Sequence, residues 1–195
     1  MNYNKLLFPL FIVVALVQLF VPAKMIINRE TILAKGKEFR FKTAPIDPTD
    51  PFRGKYITLN FAERSTKVDS TKEWKRDDKI YVLLGEDSDG FVKIKGAMHD
   101  KPPGKDFVKA KVRRSHSYNN SIEIEYPFKR YYMEESKAYD AERYTRRRRF
   151  DLDSTQNVYA IVRVIDGEAV LQNVMINDQK IEDFVKEKQA EESVE

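Results

Sequence analysis

The sequence predicts a β-rich α+β protein, in which an N-terminal transmembrane helix precedes a mainly antiparallel β domain with one helix. Three observations predict this class. An uncharged apolar run fills residues 6–21, and apolar and polar residues alternate in several later segments. The chain also holds 12 Phe and 10 Tyr, which suit pleated, half-buried surfaces. We expect an anchor and helical stalk over residues 1–36, a β-rich domain over 37–181 and an acidic C-terminal tail over 182–195.

The composition excludes several classes of site. Hydrophobic residues make up 42% and charged residues 34% of the 195 residues, which indicates a folded core under a polar surface. Cysteine is absent, so disulfides, thiol nucleophiles and cysteine-bound metal sites are excluded. A net charge of +4 is small beside 35 basic and 31 acidic residues. It does not indicate a nucleic-acid partner.

The first element is the apolar helix. The run from residue 6 to 21 is uncharged, and apolar residues return after Lys24. A helix over Leu6–Ile27, at ~1.5 Å per residue, is long enough to cross a lipid bilayer. The pattern then continues to Lys35, and Gly36 is a natural C-cap.

We interpret this helix as an uncleaved anchor with its N-terminus inside the cell and the β domain outside. A short N-terminal tail before a large domain is the usual signal-anchor arrangement, although the flanking basic residues are nearly balanced. Two alternatives stay open. Val21 and Ala23 have the spacing of a signal-peptidase site, which would make the segment a cleaved signal peptide. The run could also be a buried core helix, although it has no polar face.

From Lys37 onward, the spacing of apolar residues changes to the two-residue period of β-strands. Phe39 and Phe41 alternate with charged residues, which predicts a strand with one solvated face. Residues 43–54 contain three prolines and end at Gly54, which predicts a loop. Residues Lys55–Glu63 alternate again and predict a second strand, with Leu59 and its apolar neighbours on one face.

Three further pairs of segments predict antiparallel hairpins, giving about eight strands in all. The last pair is the clearest, because Asp166–Gly167 is a type I′ turn signal. One helix is predicted over Glu134–Arg148, and the end from Ile181 is predicted as an acidic helix or tail. The hairpin strands are Lys79–Leu84 with Phe91–Lys95, Phe107–Arg113 with Ser121–Tyr126, and Val158–Asp166 with Glu168–Met175.

Residues 43–61, TAPIDPTDPFRGKYITLNF, resemble the GDYXXLXY family of bacterial membrane-anchored proteins. The Gly-Asp-Tyr-x-x-Leu-x-Tyr signature maps onto Gly54, Lys55, Tyr56, Leu59 and Phe61. Lys55 replaces the signature Asp and Phe61 replaces the final Tyr. The preceding residues of the pattern, which also fit, are Pro45, Asp47, Pro48, Asp50 and Arg53, and a weaker likeness extends to Phe128–Glu135, the N-terminal anchor and the last hairpin.

The resemblance implies a cell-envelope protein of unknown biochemical role. Together with the N-terminal helix, it predicts a single-pass protein of a bacterial membrane with an extracytoplasmic domain. It also implies that the protein works beside another membrane protein, and it supplies no catalytic residues. If the signature Asp did chemistry or bound a metal, the Lys55 replacement would have removed that capacity here.

The candidate binding residues are Asp47, Asp50, Arg53, Gly54 and Tyr56. Two carboxylates could share a proton or bind a cation, and Arg53 could hold a carboxylate or phosphate. The structural alternative is that Asp47 and Asp50 accept local backbone hydrogen bonds and only fix the loop.

Other chemical patterns are weak. Asp87 and Asp89 lie before Gly90 as in a calcium loop, but glycines stand where the first and last ligands should be, which predicts an ordinary turn. His99 and His116 have no second histidine at ligand spacing, so we expect no metal and no cofactor. The basic run Arg146–Arg149 suits a solvated helix end or lipid headgroups better than nucleic acid.

The sequence thus predicts a non-catalytic accessory module. It would contact the lipid bilayer through Leu6–Ile27 and another membrane protein through the loop Pro45–Gly54 and the strand that begins at Lys55. Two alternatives stay open: a ligand- or cation-binding envelope sensor that uses the same loop, and a membrane-tethered hydrolase with a Ser nucleophile and a Lys base. For the hydrolase, serines and lysines are present but no flanking pattern marks a nucleophile.

Overall fold

The computed structural model describes residues 4–44, 56–70, 72–104, 106–132 and 157–192. These residues form a long N-terminal helix, antiparallel β-sheets and one further short helix, so the predicted fold class is confirmed. The predicted helix Glu134–Arg148 lies outside the described residues. The elements are α1 Asn4–Lys35, β1 Lys37–Ala44, β2 Tyr56–Thr58, β3 Asn60–Phe61, β4 Ser65–Lys67, β5 Lys79–Glu86, β6 Val92–Met98, β7 Phe107–His116, β8 Ser121–Glu125, β9 Arg130–Tyr132, β10 Val158–Ile165, β11 Glu168–Ile176, β12 Gln179–Lys180 and α2 Ile181–Glu192.

Helix α1 is 32 residues long, or ~48 Å at 1.5 Å per residue. Residues Leu7–Lys35 are long and apolar enough to cross a membrane, and the large apolar side chains between Leu7 and Ile27 are exposed on the protein. The helix therefore has the dimensions that the sequence predicts for a single membrane span.

One residue joins α1 to the β domain. The Gly36 amide donates to the Ile32 carbonyl at 2.8 Å, and Arg163 Nη1 donates to the Gly36 carbonyl at 3.3 Å. A Cβ atom on Gly36 would lie 2.5 Å from the Ile32 carbonyl oxygen and 3.0 Å from the Val164 nitrogen. Glycine is needed here because two backbone segments approach closely. The predicted helix end at Gly36 is confirmed.

The first sheet has the strand order β12-β11-β10-β1-β3 and is antiparallel throughout. Strand β1 runs alongside β10, from Lys37 opposite Val164 to Lys42 opposite Tyr159. The β10–β11 hairpin turns at Asp166 and Gly167, whose φ angles of 50° and 80° fit the predicted type I′ turn.

The second sheet has the order β4-β8-β7-β5-β6 and contains the two other predicted hairpins. Strands β4 and β6, at its two edges, lie close to each other, so the sheet curls. Glu63 joins these edges, because its carboxylate accepts from the Ile94 amide at 3.2 Å and from Lys93 Nζ at 2.6 Å. Single bridges from Arg40 to Phe91 and from Val108 to Gly167 connect the two sheets.

The core lies between the sheets. Its centre is a cluster of four aromatic rings, whose contacting pairs have centroids 5.1–5.6 Å apart. Helix α2 closes one side, because Ile181 and Val185 have no exposed surface. Such burial stabilises each large side chain by roughly 1.5–3 kcal/mol. The ring cluster consists of Phe41, Phe61, Tyr126 and Phe128.

The structure corrects one predicted strand. The sequence predicts a single strand over Lys55–Glu63, but the described part of this segment forms β2 and β3, separated at Leu59. Strand β2 pairs with β9, whereas β3 pairs with β1. The apolar alternation is kept on both sides of Leu59, so the sequence pattern gives no sign that the pairing partner changes there.

Candidate functional site

Tyr56 is the one predicted site residue that falls within the described residues, and it is the first residue of β2. Four others, Asp47, Asp50, Arg53 and Gly54, lie outside the described residues. Their part in a binding site therefore stays a prediction.

The two stretches that carry the family resemblance pair with each other. Strands β2 and β9 form a two-stranded antiparallel ribbon, which we call the signature ribbon, with Tyr56 opposite Tyr132 and Thr58 opposite Arg130. The Leu59 amide extends the ladder by donating to the Lys129 carbonyl at 2.8 Å. Both stretches could be identified from the sequence, but their pairing could not be predicted, since 70 or more residues separate them.

The second half of the signature is structural. Leu59 and Phe61 are 2% and 4% exposed and belong to the core. The Phe61 ring packs edge-on against Phe41, Tyr126 and Phe128. These two signature positions therefore fix the ribbon to the domain and do not contact solvent.

The signature ribbon is also fixed to α2. The Tyr131 hydroxyl donates to Glu182 Oε1 at 3.1 Å, and the Tyr131 side chain is 9% exposed. Burial, with the adjacent Glu182 carboxylate, raises the pKa of the Tyr131 phenol far above its ordinary value, so the phenol remains a hydrogen-bond donor. The neighbouring Tyr132 is 64% exposed. The ribbon thus has one side held by the domain and one side open.

The outer edge of β2 is unpaired within the described part of the chain. Directly opposite residues in antiparallel strands alternate between bonded and non-bonded pairs. Because Leu59 and Lys129 form a bonded pair, the main-chain amides of Tyr56 and Thr58 face away from β9. Outward-facing main-chain groups of this kind are the ones to which an added strand bonds.

A groove of ≈1460 Å³ lies beside the signature ribbon. One wall is the C-terminal end of α1, and the others come from β5, β7, β9 and β11. Met25, Arg29 and Ile32 recur at helical spacing and form the α1 wall. Tyr131 and Tyr132 of the ribbon form part of the opposite side. The groove therefore opens where α1 leaves its long apolar segment. The sequence analysis did not predict it, because its walls come from distant segments.

The described side chains that line the groove carry charges of both signs, with an excess of positive charge. The lining contains seven basic and four acidic side chains, a net charge of +3. Lys109 Nζ donates to Glu168 at 2.6 Å, which raises the pKa of Lys109. Lys129 pairs with Glu125 and lowers the pKa of that carboxyl. The two remaining acids, Asp77 and Glu182, form no ion pair with a groove cation within the described residues.

The loop that resembles a calcium site is a turn, as predicted. Asp87 Oδ1 accepts from the amides of Asp89 and Phe91 at 3.0 and 2.8 Å, and Gly90 has a φ of 78°. These two bonds lower the pKa of Asp87. Across the residues that the structure describes, no group of three His, Asp or Glu side chains is placed to hold a metal ion.

Comparison with known proteins identifies the family of the chain. No curated protein and no solved structure matches the chain. The model of the family described as GDYXXLXY protein matches residues 18–174, from within α1 to within β11. This span includes the signature ribbon and the aromatic cluster. Because the match covers most of the chain, the protein belongs to the GDYXXLXY family.

Proposed function

We propose that this protein is a non-catalytic, membrane-tethered interaction module that docks on another membrane protein through the signature ribbon. The observation that carries the proposal is the pairing of β2 with β9, the two stretches that resemble the family. The neighbouring Leu59 and Tyr131 are buried, whereas Tyr132 is 64% exposed and no strand among the described residues pairs with the outer edge of β2.

The tether follows from α1. A helix of this length with exposed apolar side chains needs an apolar environment, which a bilayer supplies. We place the β domain on the extracytoplasmic face of a bacterial membrane. Protease added to intact spheroplasts should then digest the domain, whereas digestion only after lysis would reverse the orientation.

The docking mode is strand addition. An extended segment of the partner would align with β2 and bond to the outward amides of Tyr56 and Thr58. The predicted residues Asp47, Asp50, Arg53 and Gly54 precede β2 in the chain, and we include them in the proposed docking surface.

Photocrosslinking in cells tests the proposal. A benzoylphenylalanine introduced at Thr58 should form an adduct with one membrane protein, to be identified by mass spectrometry. Tyr118, which is 85% exposed in the β7–β8 turn, provides the control position. Identical adduct patterns from Thr58 and Tyr118 would contradict docking at the ribbon.

A proline at position 58 separates strand addition from folding. The Thr58 amide faces away from β9, so Thr58→Pro removes an edge donor and keeps the β2–β9 bonds. The Thr58→Pro variant should fold. A benzoylphenylalanine that replaces Tyr132 should crosslink to the partner in the native background and fail to do so in this variant. The triple variant Asp47→Ala, Asp50→Ala, Arg53→Ala tests the preceding loop in the same assay.

A further inference from the structure

Two lysines face each other in the groove. Lys79 of β5 lies directly opposite Lys111 of β7 in antiparallel register, so both side chains lie on the same face of the sheet. Both are exposed and both line the groove. Like charges directly opposite each other destabilise a sheet.

Lys111 also lies directly opposite Glu125 of β8, which relieves part of this repulsion, whereas no acid lies opposite Lys79 in the described strand pairs. Neither Lys79 nor Lys111 forms an ion pair within the described ranges, and Arg29 across the groove forms none either. The nearby Lys109 and Lys129, by contrast, are paired with Glu168 and Glu125. Within the described ranges Lys79 and Arg29 are therefore groove cations without an ion pair, and Lys111 shares the Glu125 carboxylate with Lys129. The net positive charge of the groove would stabilise a bound anion.

With α1 spanning a bilayer as proposed above, the groove would lie at the depth of the lipid headgroups. Its α1 wall extends from Met25 to Ile32, a rise of ~10 Å along the helix axis. The apolar segment of α1 ends at Ile27, so this wall begins inside the last apolar turn and continues beyond it. The headgroup layer of one leaflet is roughly 5–8 Å thick. The wall therefore covers the whole layer.

We infer that the groove binds the headgroup of an anionic phospholipid from the bilayer that holds α1, with the phosphate between Lys79 and Lys111. Arg29 approaches the headgroup from the helix side, and Met25 contacts its apolar end. Tyr81, which lies opposite Lys109 on the same sheet face, supplies an aromatic ring of the kind enriched at membrane interfaces. The inference rests on the membrane tether proposed above and is independent of docking at the ribbon.

Native mass spectrometry of the full chain tests the site. The protein would be reconstituted in nanodiscs that contain phosphatidylcholine with phosphatidylglycerol, and the lipids retained on the released protein would be counted. The double variant Lys79→Gln, Lys111→Gln removes the opposed charges. The matched control Lys67→Gln, Lys72→Gln removes the same charge from exposed positions outside the groove.

We expect the native chain and the control variant to retain phosphatidylglycerol over phosphatidylcholine. The Lys79/Lys111 variant should lose about tenfold in this selectivity. Equal loss in both variants, or no selectivity in the native chain, would overturn the inference and leave the tether intact. A chain that does not float with vesicles would overturn the tether and the inference together.

A protein ligand for the lysine pair is a separate outcome. Poly-glutamate that binds the native chain in phosphatidylcholine nanodiscs, with no selectivity for phosphatidylglycerol, would assign the pair to an acidic polypeptide and overturn the lipid site. Crosslinking from Thr58 should be unchanged in the Lys79/Lys111 variant, because neither lysine belongs to the signature ribbon, although Tyr132 lies at the border of both surfaces.

Discussion

The hydroxyl of Tyr126 donates a hydrogen bond of 3.0 Å to the main-chain carbonyl of Glu63. Tyr126 follows β8, and Glu63 precedes β4. The bond fixes the residue whose carboxylate joins the two edges of the curled sheet. Burial raises the pKa of the Tyr126 phenol far above its ordinary range, so the phenol is protonated and donates at neutral pH.

Tyr126→Phe should lower the free energy of unfolding by about 1–2 kcal/mol, because the Glu63 carbonyl loses a buried donor. Urea unfolding of the full chain in detergent micelles measures this change. Tyr118→Phe is the control, since Tyr118 is 85% exposed. Equal stability of the Tyr126→Phe variant and the native chain would show that water replaces the lost donor.

Leu59→Ala should cost about 2–5 kcal/mol of stability, since it opens a cavity beneath the signature ribbon. The measurement is the unfolding midpoint, compared with Asn60→Ala in the next residue, which is only half-buried. Under conditions in which it is still folded, the Leu59→Ala variant should crosslink to the partner as the native chain does. Lost crosslinking at native stability would instead place Leu59 in the docking surface.

Gly36→Ala should destabilise the junction between α1 and the domain, because its Cβ would lie 2.5 Å from a backbone oxygen. Neither that oxygen, on Ile32, nor the Val164 nitrogen can move without shifting α1 against β10. Hydrogen exchange at the amides of residues 30–38 should accelerate. Lys35→Ala, at an exposed position, should leave this exchange unchanged.

The free energy of unfolding of the domain should fall above pH 10, because deprotonation of its buried tyrosine phenols becomes possible in the unfolded chain first. Burial, and then the hydrogen bond to Asp178, raises the pKa of Tyr159 from 10.0 to about 12. A raised pKa means that the stabilisation is complete below the unfolded value and is lost as pH rises from 10 to 12. Tyr159→Phe should therefore lose less stability between pH 8 and pH 11 than the native chain does, as measured by urea midpoints.

Lys79→Gln should raise the stability by about 0.2–1 kcal/mol, since it removes one of two opposed positive charges. The gain should shrink in 1 M salt, where the screening length is about 3 Å. Thermal unfolding at low and high salt measures both effects. Destabilisation by Lys79→Gln would mean that the repulsion is already relieved and would remove one reason for an anion site.

The sequence was most informative where local chemistry decides the structure. The apolar period identifies α1, and the Asp166–Gly167 turn identifies the β10–β11 hairpin, because both depend on residues close together in the chain. The exchange of partners at Leu59 could not be predicted, since β2 and β3 have the same alternation and differ only in which distant strand lies beside them.

The candidate site could be predicted from the sequence only in part, for the same reason. The signature residues could be noticed as a pattern, but the burial of Leu59 and Phe61 depends on rings contributed by β1 and by the segment after β8. The opposition of Lys79 and Lys111 depends on the register of β5 against β7. The register of paired strands places residues that are far apart in the chain on the same sheet face, and no single segment contains that information.

The one-residue junction at Gly36 has a mechanical consequence. A flexible linker would let a tethered domain sample a volume that grows with linker length. Here α1 and β1 are joined directly and held by the bond from Arg163 to Gly36. A change in the tilt or rotation of α1 would therefore reorient the entire β domain by the same angle. In the membrane-anchored state proposed above, this junction would hold the β domain at a fixed height over the bilayer, so lateral diffusion and helix tilt would set its encounters with a partner.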